Sequence, residues 1–246
     1  MVLIGLDAAS SLSKFGYAIG RYDAGCLRIE SAGLIESRAE ANAIDAHIAP
    51  ALREADKALI AIDAPLGWPA TLAAELKIHR AGEAFSTEKD ALFQRQTDLF
   101  THKRLGKKPL EVGADRIARA AHRALDVLQH LRRASGKSIP LAWSAQFSGV
   151  AAIEVYPAGT LIARDLPHSS YKKDEQADVR HAIANALSGD LPDLKRYADG
   201  NADVFDACLC LIAAKDFVDG VSVPPEDLDA SYVEGWIWVR RSARDV

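Results

Sequence analysis

Cysteine, methionine and long apolar segments are scarce in this chain of 246 residues, which has three cysteines and one methionine. A small, odd cysteine count excludes a disulfide scaffold and is typical of a reducing compartment, so we expect a cytoplasmic protein. The most apolar stretch, 58–74, contains Asp63, Pro65, Gly67 and Pro69. It therefore predicts a strand and a turn rather than a membrane span, and because the chain starts without a basic n-region we expect no secretory signal.

Strong net charge is also lacking, since the formal value is −4. Dedicated duplex-binding proteins are usually basic, so this value alone argues against a nucleic-acid partner. The charge is unevenly distributed, however. Segment 95–137 holds eleven basic and four acidic residues, a net +7, which leaves −11 for the rest of the chain. Either the basic segment and the acidic remainder are simply two solvated surfaces, or the basic segment is a phosphate-attracting region near an acidic metal site.

The apolar pattern predicts an α/β fold. We predict strands at 2–7, 15–22, 26–36, 58–63 and 151–156, a short terminal strand at 235–239, and helices at 43–55, 157–163, 175–187 and 201–217. The opening order of strand, strand, strand, helix, strand requires a mixed sheet, antiparallel on one side and parallel on the other.

The 87 residues that separate the fourth strand from the fifth are far more than a single crossover needs. Their apolar residues recur at helical spacing, as in Ile117, Ala121, Ala124, Leu128 and Leu131. We therefore predict one domain, 1–246, with a helical insertion at 68–150 that coincides with the cationic segment.

Acidic residues occupy the places where such a sheet collects functional groups. Asp7 and Asp63 end predicted strands, and Glu154 lies in the last core strand. Asp203 and Asp206 share one face of a predicted helix. Grouped carboxylates repel one another unless hard divalent cations neutralise them, so we predict a Mg²⁺ or Mn²⁺ site. Each acid also has a plainer interpretation: Asp7 could cap a loop, and Asp203 could be an ordinary acid of a first helical turn.

Basic residues that open the cationic segment are candidates for substrate binding. Arg95 and Asp98 are spaced as a helical ion pair, but Arg95 could instead reach a phosphate. Four further residues surround Gly106 and could contact backbone phosphates without reading bases: Lys103, Arg104, Lys107 and Lys108.

Several short motifs, in this order along the chain, resemble those of one family. They are Ile4-Gly5-Leu6-Asp7, Ile62-Asp63-Ala64-Pro65-Leu66-Gly67, Arg95-Gln96-Thr97-Asp98, Glu154-Val155-Tyr156-Pro157-Ala158, Asp203-Val204-Phe205-Asp206-Ala207 and Glu234-Gly235-Trp236-Ile237. The set is similar to the bacterial and archaeal family called domain of unknown function 429, described as predicted ribonuclease H-like nucleases. The first strand and the C-terminal acidic pair also resemble Holliday-junction resolvases.

The resemblance implies a ribonuclease H-like fold, a five-stranded mixed sheet flanked by helices. It implies Asp7, Asp63 and Asp206 as metal ligands, with Glu154 and Asp203 as additional ligands. The activity it implies is metal-dependent hydrolysis of nucleic-acid phosphodiester bonds, with Asp7, Asp63, Asp206 and Glu154 as the catalytic acids.

Two other functions remain open at this point, and we also consider a homodimer. An ATP-dependent phosphotransferase of the actin-like and sugar-kinase superfamily would have the same sheet core. It would need a glycine turn for phosphate, whereas Asp7 is followed by Ala8-Ala9-Ser10-Ser11. A non-catalytic binding module would keep the fold without the chemistry, because fold does not imply function.

Overall fold

A five-stranded mixed sheet forms the centre of the protein. The computed structural model describes residues 1–35, 44–113 and 115–242. The strands are β1 (Val2–Asp7), β2 (Gly16–Asp23), β3 (Cys26–Leu34), β4 (Ala58–Asp63) and β5 (Val150–Glu154), in the order β3-β2-β1-β4-β5. The pairs among β1, β2 and β3 are antiparallel, whereas β4 is parallel to both β1 and β5. This arrangement confirms the predicted fold class.

Helices fill the connections between and after the strands. They are α1 (Ala49–Glu54), α2 (Ala70–Ile78), α3 (Lys89–Phe93), α4 (Gln96–Leu105), α5 (Asp115–Ser135), α6 (Pro157–Ile162), α7 (Ala177–Ala186), α8 (Ala202–Val218) and α9 (Leu228–Glu234). The four helices α2 to α5 lie between β4 and β5, which confirms the helical insertion predicted there. Within the described residues, no helix combines the length and apolarity needed to cross a membrane.

Some predicted boundaries differ from the structure. The helix predicted at 43–55 starts as a π-helical segment, Ile44–Ile48, and becomes α-helical near Pro50, which has no N–H to donate. Two predicted ends, Glu36 of the third strand and Ala43 of this helix, lie outside the described residues.

The predicted terminal strand at 235–239 is wrong. In the described part of the chain this segment makes a single isolated bridge, which pairs Ile237 in parallel with Glu154. The Ile237 N–H donates to the Thr97 side-chain oxygen at 2.7 Å rather than to a neighbouring strand. Gly235 precedes it with a φ of +79°, so the chain enters the contact from a conformation that a strand does not have.

Apolar side chains cover both faces of the sheet, because successive strand residues point to opposite faces. Leu3 and Ala61 belong to the core layer that contains α8, whereas Ile4 and Ile60 belong to the layer that contains α1 and α5. Helix α8 is buried along almost its whole length, as its apolar sequence predicts.

Two glycines let α8 lie directly on the sheet. A Cβ atom on Gly5 of β1 would come within 2.0 Å of the Ala207 carbonyl oxygen, and one on Gly16 of β2 within 2.1 Å of the Asp203 carbonyl oxygen. Any larger residue would push the helix away from β1. The close approach therefore sets the distance between Asp206, which precedes Ala207, and the end of β1.

We expect Gly5→Ala to lower the free energy of unfolding by about 1–3 kcal/mol, because the added methyl group overlaps the Ala207 carbonyl oxygen and forces α8 away from β1. Chemical denaturation measures the change. Gly189→Ala is the matched control, since a Cβ atom there meets nothing within 4 Å. Equal stability of the two variants would contradict the importance of this contact.

Candidate metal centre

Asp7 and Asp63 lie side by side at the carboxyl edge of the sheet. Their strands are parallel, and the register pairs the two residues directly. Equivalent positions of paired strands point to the same face, so both side chains extend toward the face covered by α8. The parallel pairing of β1 with β4 thus brings these two acids to one edge of the sheet, where the sequence places them.

Asp206 joins them from α8. The helix begins at its N-cap Asn201, whose side chain accepts hydrogen bonds from the Asp203 and Val204 N–H groups. Asp206 is fully buried on the second turn. One carboxylate oxygen from each of Asp7, Asp63 and Asp206 lies within 4.8 Å of the others. We call these three residues the acidic cluster.

Burial and mutual repulsion disfavour the ionised forms of the acidic cluster. Burial is the main cause that raises the pKa of each carboxyl group, and the neighbouring carboxylates raise it further. The pKa of Asp63 rises to about 7. The Lys172 ammonium opposes the shift in all three groups. The cluster therefore holds more negative charge than its surroundings balance.

Two residues that sequence reasoning missed complete the cluster. The Tyr171 hydroxyl donates to Asp206 Oδ1 at 2.7 Å, and the Lys172 ammonium forms an ion pair with Asp206 Oδ2. Although burial alone would lower the pKa of Lys172, Asp206, Asp7 and Asp63 raise it above its ordinary value, so the residue stays a cation. Both residues come from a connection without regular periodicity, where the sequence carries no signal of their position.

Asp203 lies beside the acidic cluster rather than within it. It is partly exposed on the first turn of α8, and its carboxylate is not one of the three that converge within 4.8 Å. Its charge still contributes to raising the pKa of Asp7 and Asp206.

Glu154 is paired with a buried arginine. The register sets it opposite Ile62 rather than Asp63, so strand alternation directs it away from the acidic cluster. Both of its carboxylate oxygens accept from Arg95, at 2.7 and 2.9 Å, and Oε2 also accepts from the Leu66 N–H at 2.9 Å. Burial raises the pKa of Glu154, and Arg95 and the Leu66 N–H counter that rise.

Arg95 is 1% exposed and uses all five of its side-chain N–H groups. Two donate to Asp98, two to Glu154 and one to the Glu234 carbonyl, at 2.7–3.1 Å. Burial alone would lower the pKa of Arg95, but Glu154 and Asp98 raise it above its usual value. The pairing with Asp98 is the helical ion pair that the spacing of the two residues suggests. In this arrangement Arg95 has no side-chain N–H group left to donate to a phosphate.

The four basic residues near Gly106 fall into two groups. Lys107 and Lys108 line a cavity of about 400 Å³ that also reaches Asp63 and Asp206. Lys107 donates to the His168 carbonyl at 3.3 Å, and Lys108 pairs with Glu111 at 2.8 Å. Lys103 and Arg104 line a different cavity, together with Gly106 and Ile162, and Arg104 also lies over the Phe100 ring.

The acidic cluster fits a hard divalent cation. The buried Asp7 and Asp206 and the half-buried Asp63 supply the oxygen ligands that Mg²⁺ and Mn²⁺ prefer, and burial together with mutual repulsion raises their pKa values. A cavity of about 270 Å³ lined by Asp7, Asp63, Tyr156 and Lys172 leaves space beside them. Asp7, Asp63 and Asp206 are thus the residues that would hold the metal.

We expect Arg95→Met to destabilise the protein by about 3–5 kcal/mol, because the buried carboxylates of Glu154 and Asp98 lose their partner. The matched control is Arg21→Met, which breaks an ion pair with Glu30 whose side chains are 51% and 44% exposed. That change should cost less than about 1 kcal/mol. Urea denaturation measures both variants, and a similar loss in the two would refute the proposed importance of the buried network.

We expect a pH dependence of stability from Asp63. Its pKa is about 7 in the folded chain and about 3.9 in an unfolded one, so the folded state binds the proton more tightly. Stability therefore falls as the pH rises from about 4 through 7. Asp63→Asn removes this loss. The free energy of unfolding of the variant, relative to that of the wild type, should therefore be higher at pH 8 than at pH 5.

Denaturation in the presence of a chelator, at several pH values, measures that difference. Glu226→Gln is the control, because it makes the same kind of change at an exposed acid that does not belong to the acidic cluster. A stability difference between Asp63→Asn and wild type that stays constant with pH would show that Asp63 does not titrate in this range.

Comparison with known proteins gives a family and a distant likeness to a solved structure. A search of curated proteins finds no match. Among solved structures, the chain is similar to "T. thermophilus RuvC in complex with Holliday junction substrate", with 12% identity and a TM-score of 0.39 over 92% of this chain and 99% of that chain. The model of the family described as "Protein of unknown function (DUF429)" matches residues 5–230, so the chain belongs to this family.

Proposed function

We propose that this protein is a metal-dependent nuclease that hydrolyses phosphodiester bonds of nucleic acid. The observation that carries the proposal is the convergence of one carboxylate oxygen each from Asp7, Asp63 and Asp206 within 4.8 Å. Three grouped acids, two of them buried, cost stability unless a cation compensates for them, so their presence together favours a functional site over a structural one.

The acidic cluster holds the metal in this proposal. A bound Mg²⁺ or Mn²⁺ ion would act as a Lewis acid and lower the pKa of water, which is the chemistry that phosphodiester hydrolysis needs. Asp206 is oriented by the Tyr171 hydroxyl, and Asp7 and Asp63 are oriented by the register of their strands. The chain thus positions the ligands through elements that are themselves buried and paired.

Lys107 and Lys108 are the proposed contacts to the nucleic-acid backbone. They line the cavity that opens on Asp63 and Asp206, so a phosphate in that cavity would lie between lysines and the acidic cluster. Lys103 and Arg104 line another cavity, and we propose that they contact the strand further from the metal.

Glu154 and Arg95 enter the proposal as positioning residues rather than as metal ligand and phosphate contact. Their mutual ion pair occupies both carboxylate oxygens and the guanidinium. The pair also fixes the Leu66 N–H, three residues after Asp63, and so holds the end of β4 in place. Asp203 lies next to the cluster and is proposed as an auxiliary acid. A cytoplasmic location and a homodimer stay predictions.

We expect Asp7→Asn, Asp63→Asn and Asp206→Asn each to lower Mg²⁺- or Mn²⁺-dependent cleavage at least about 100-fold, since changes to residues behind metal ligands already cost 10–100-fold. The assay uses single-stranded, duplex and branched substrates, and a chelator should abolish activity in the wild type. Glu226→Gln should cleave like wild type.

Equal activity of wild type and Asp7→Asn would refute the site. Inactivity of the wild type on every substrate, with Mn²⁺ binding retained, would favour a non-catalytic module. A large thermal stabilisation by ATP with Mg²⁺, without cleavage, would favour the phosphotransferase.

A further inference from the structure

Lys172 combines an exposed stem with a buried contact. Its side chain is 50% exposed, whereas its ammonium pairs with the carboxylate of Asp206, which is fully buried. A lysine has a flexible stem of four carbons, so it can leave such a contact without movement of the backbone. The ammonium is therefore a charge that could be displaced from Asp206 while the backbone stays in place.

The backbone on either side of Lys172 is held firmly. The buried Arg180 donates to the Tyr171 carbonyl at 2.7 Å, to the Lys173 carbonyl at 2.9 Å and to the Ala198 carbonyl at 2.6 Å. The Tyr171 ring is 2% exposed and packs near the Phe205 ring. These contacts lie outside the acidic cluster, and together they present the Lys172 side chain to it.

Lys172 and a divalent ion would need the same oxygen atoms. The ammonium contacts Asp206 Oδ2, while Oδ1 is engaged by Tyr171. Lys172 also lines both cavities that open on the acidic cluster. A cation placed among Asp7, Asp63 and Asp206 would therefore meet the ammonium by like-charge repulsion as well as by competition for Oδ2.

We propose that Lys172 is a resident counterion of the acidic cluster, which a divalent cation must displace from Asp206 in order to bind. The inference rests on the proposed metal site. Lys172 stabilises the metal-free protein and weakens its affinity for metal. On displacement, the stem turns toward the solvent side of the cleft, where its exposed half already lies.

The test is calorimetric titration of the full chain with Mn²⁺, on protein stripped by a chelator. Lys172→Met should bind Mn²⁺ at least about tenfold more tightly than wild type, because the competing charge is gone. The matched control is Lys173→Met, which makes the same change at the exposed neighbouring residue and should stay within about twofold of wild type. Lys172→Arg, which keeps the charge, should not bind more tightly than wild type.

Thermal unfolding gives a second, independent measurement. Without metal, Lys172→Met should unfold at a lower temperature than Lys173→Met, because three carboxylates lose their counterion. With Mn²⁺ it should gain more stability than wild type does. If Lys172→Met does not fold, Lys172→Gln gives the same comparison.

The outcomes separate this inference from the proposed function. Unchanged or weaker Mn²⁺ binding by Lys172→Met, or no binding by any variant, overturns the inference. Loss of cleavage in Lys172→Met with unchanged Mn²⁺ affinity also overturns it and makes Lys172 a substrate contact. Tighter Mn²⁺ binding by Lys172→Met, in a protein that cleaves no substrate, supports the inference and contradicts the proposed nuclease function.

Discussion

Repulsion among three closely spaced carboxylates is the constraint on which the arrangement around the site depends. One oxygen from each of Asp7, Asp63 and Asp206 lies within 4.8 Å of the others, and the burial of Asp7 and Asp206 leaves little water to screen them. The fold maintains this unfavourable group through contacts that do not depend on it, such as the pairing of β1 with β4 and the packing of α8 on Gly5 and Gly16. A local cost of this kind, supported from outside, is typical of functional sites.

Buried carboxylates are neutralised in two different ways within this one region. Arg95 neutralises Glu154 and Asp98 with complete hydrogen bonding, and no part of that network is exposed. The acidic cluster instead receives a single lysine on a half-exposed stem. The first solution is permanent, and it fixes the helical insertion to β5. The second can be exchanged for another cation, and this contrast separates the scaffold from the site.

The sequence predicts the fold and the positions of the three cluster acids, because these depend on local patterns. Apolar runs that end in an acid predict the positions of Asp7 and Asp63 at strand ends, and helical spacing predicts the position of Asp206. The role of Glu154 depends on a register one residue away from Asp63, which a run of apolar letters cannot reveal. Tyr171 and Lys172 reach Asp206 across 35 and 34 positions of chain from an irregular connection, so no spacing rule could associate them.

The basic residues of the cationic segment differ in how strongly they are engaged by structural partners. Its net charge of +7 suggests a continuous phosphate-binding surface, but several of its charges have structural partners. Arg95 is enclosed by carboxylates, Arg132 donates twice to the Ile139 carbonyl, and Lys108 pairs with Glu111. Lys107 differs, because its ammonium makes a long hydrogen bond of 3.3 Å to the His168 carbonyl and it lines the cavity beside Asp63 and Asp206. Under the proposed function, a polyanion that follows the charge of the insertion would meet the acidic cluster at Lys107, with lysines and a metal on opposite sides of one phosphate.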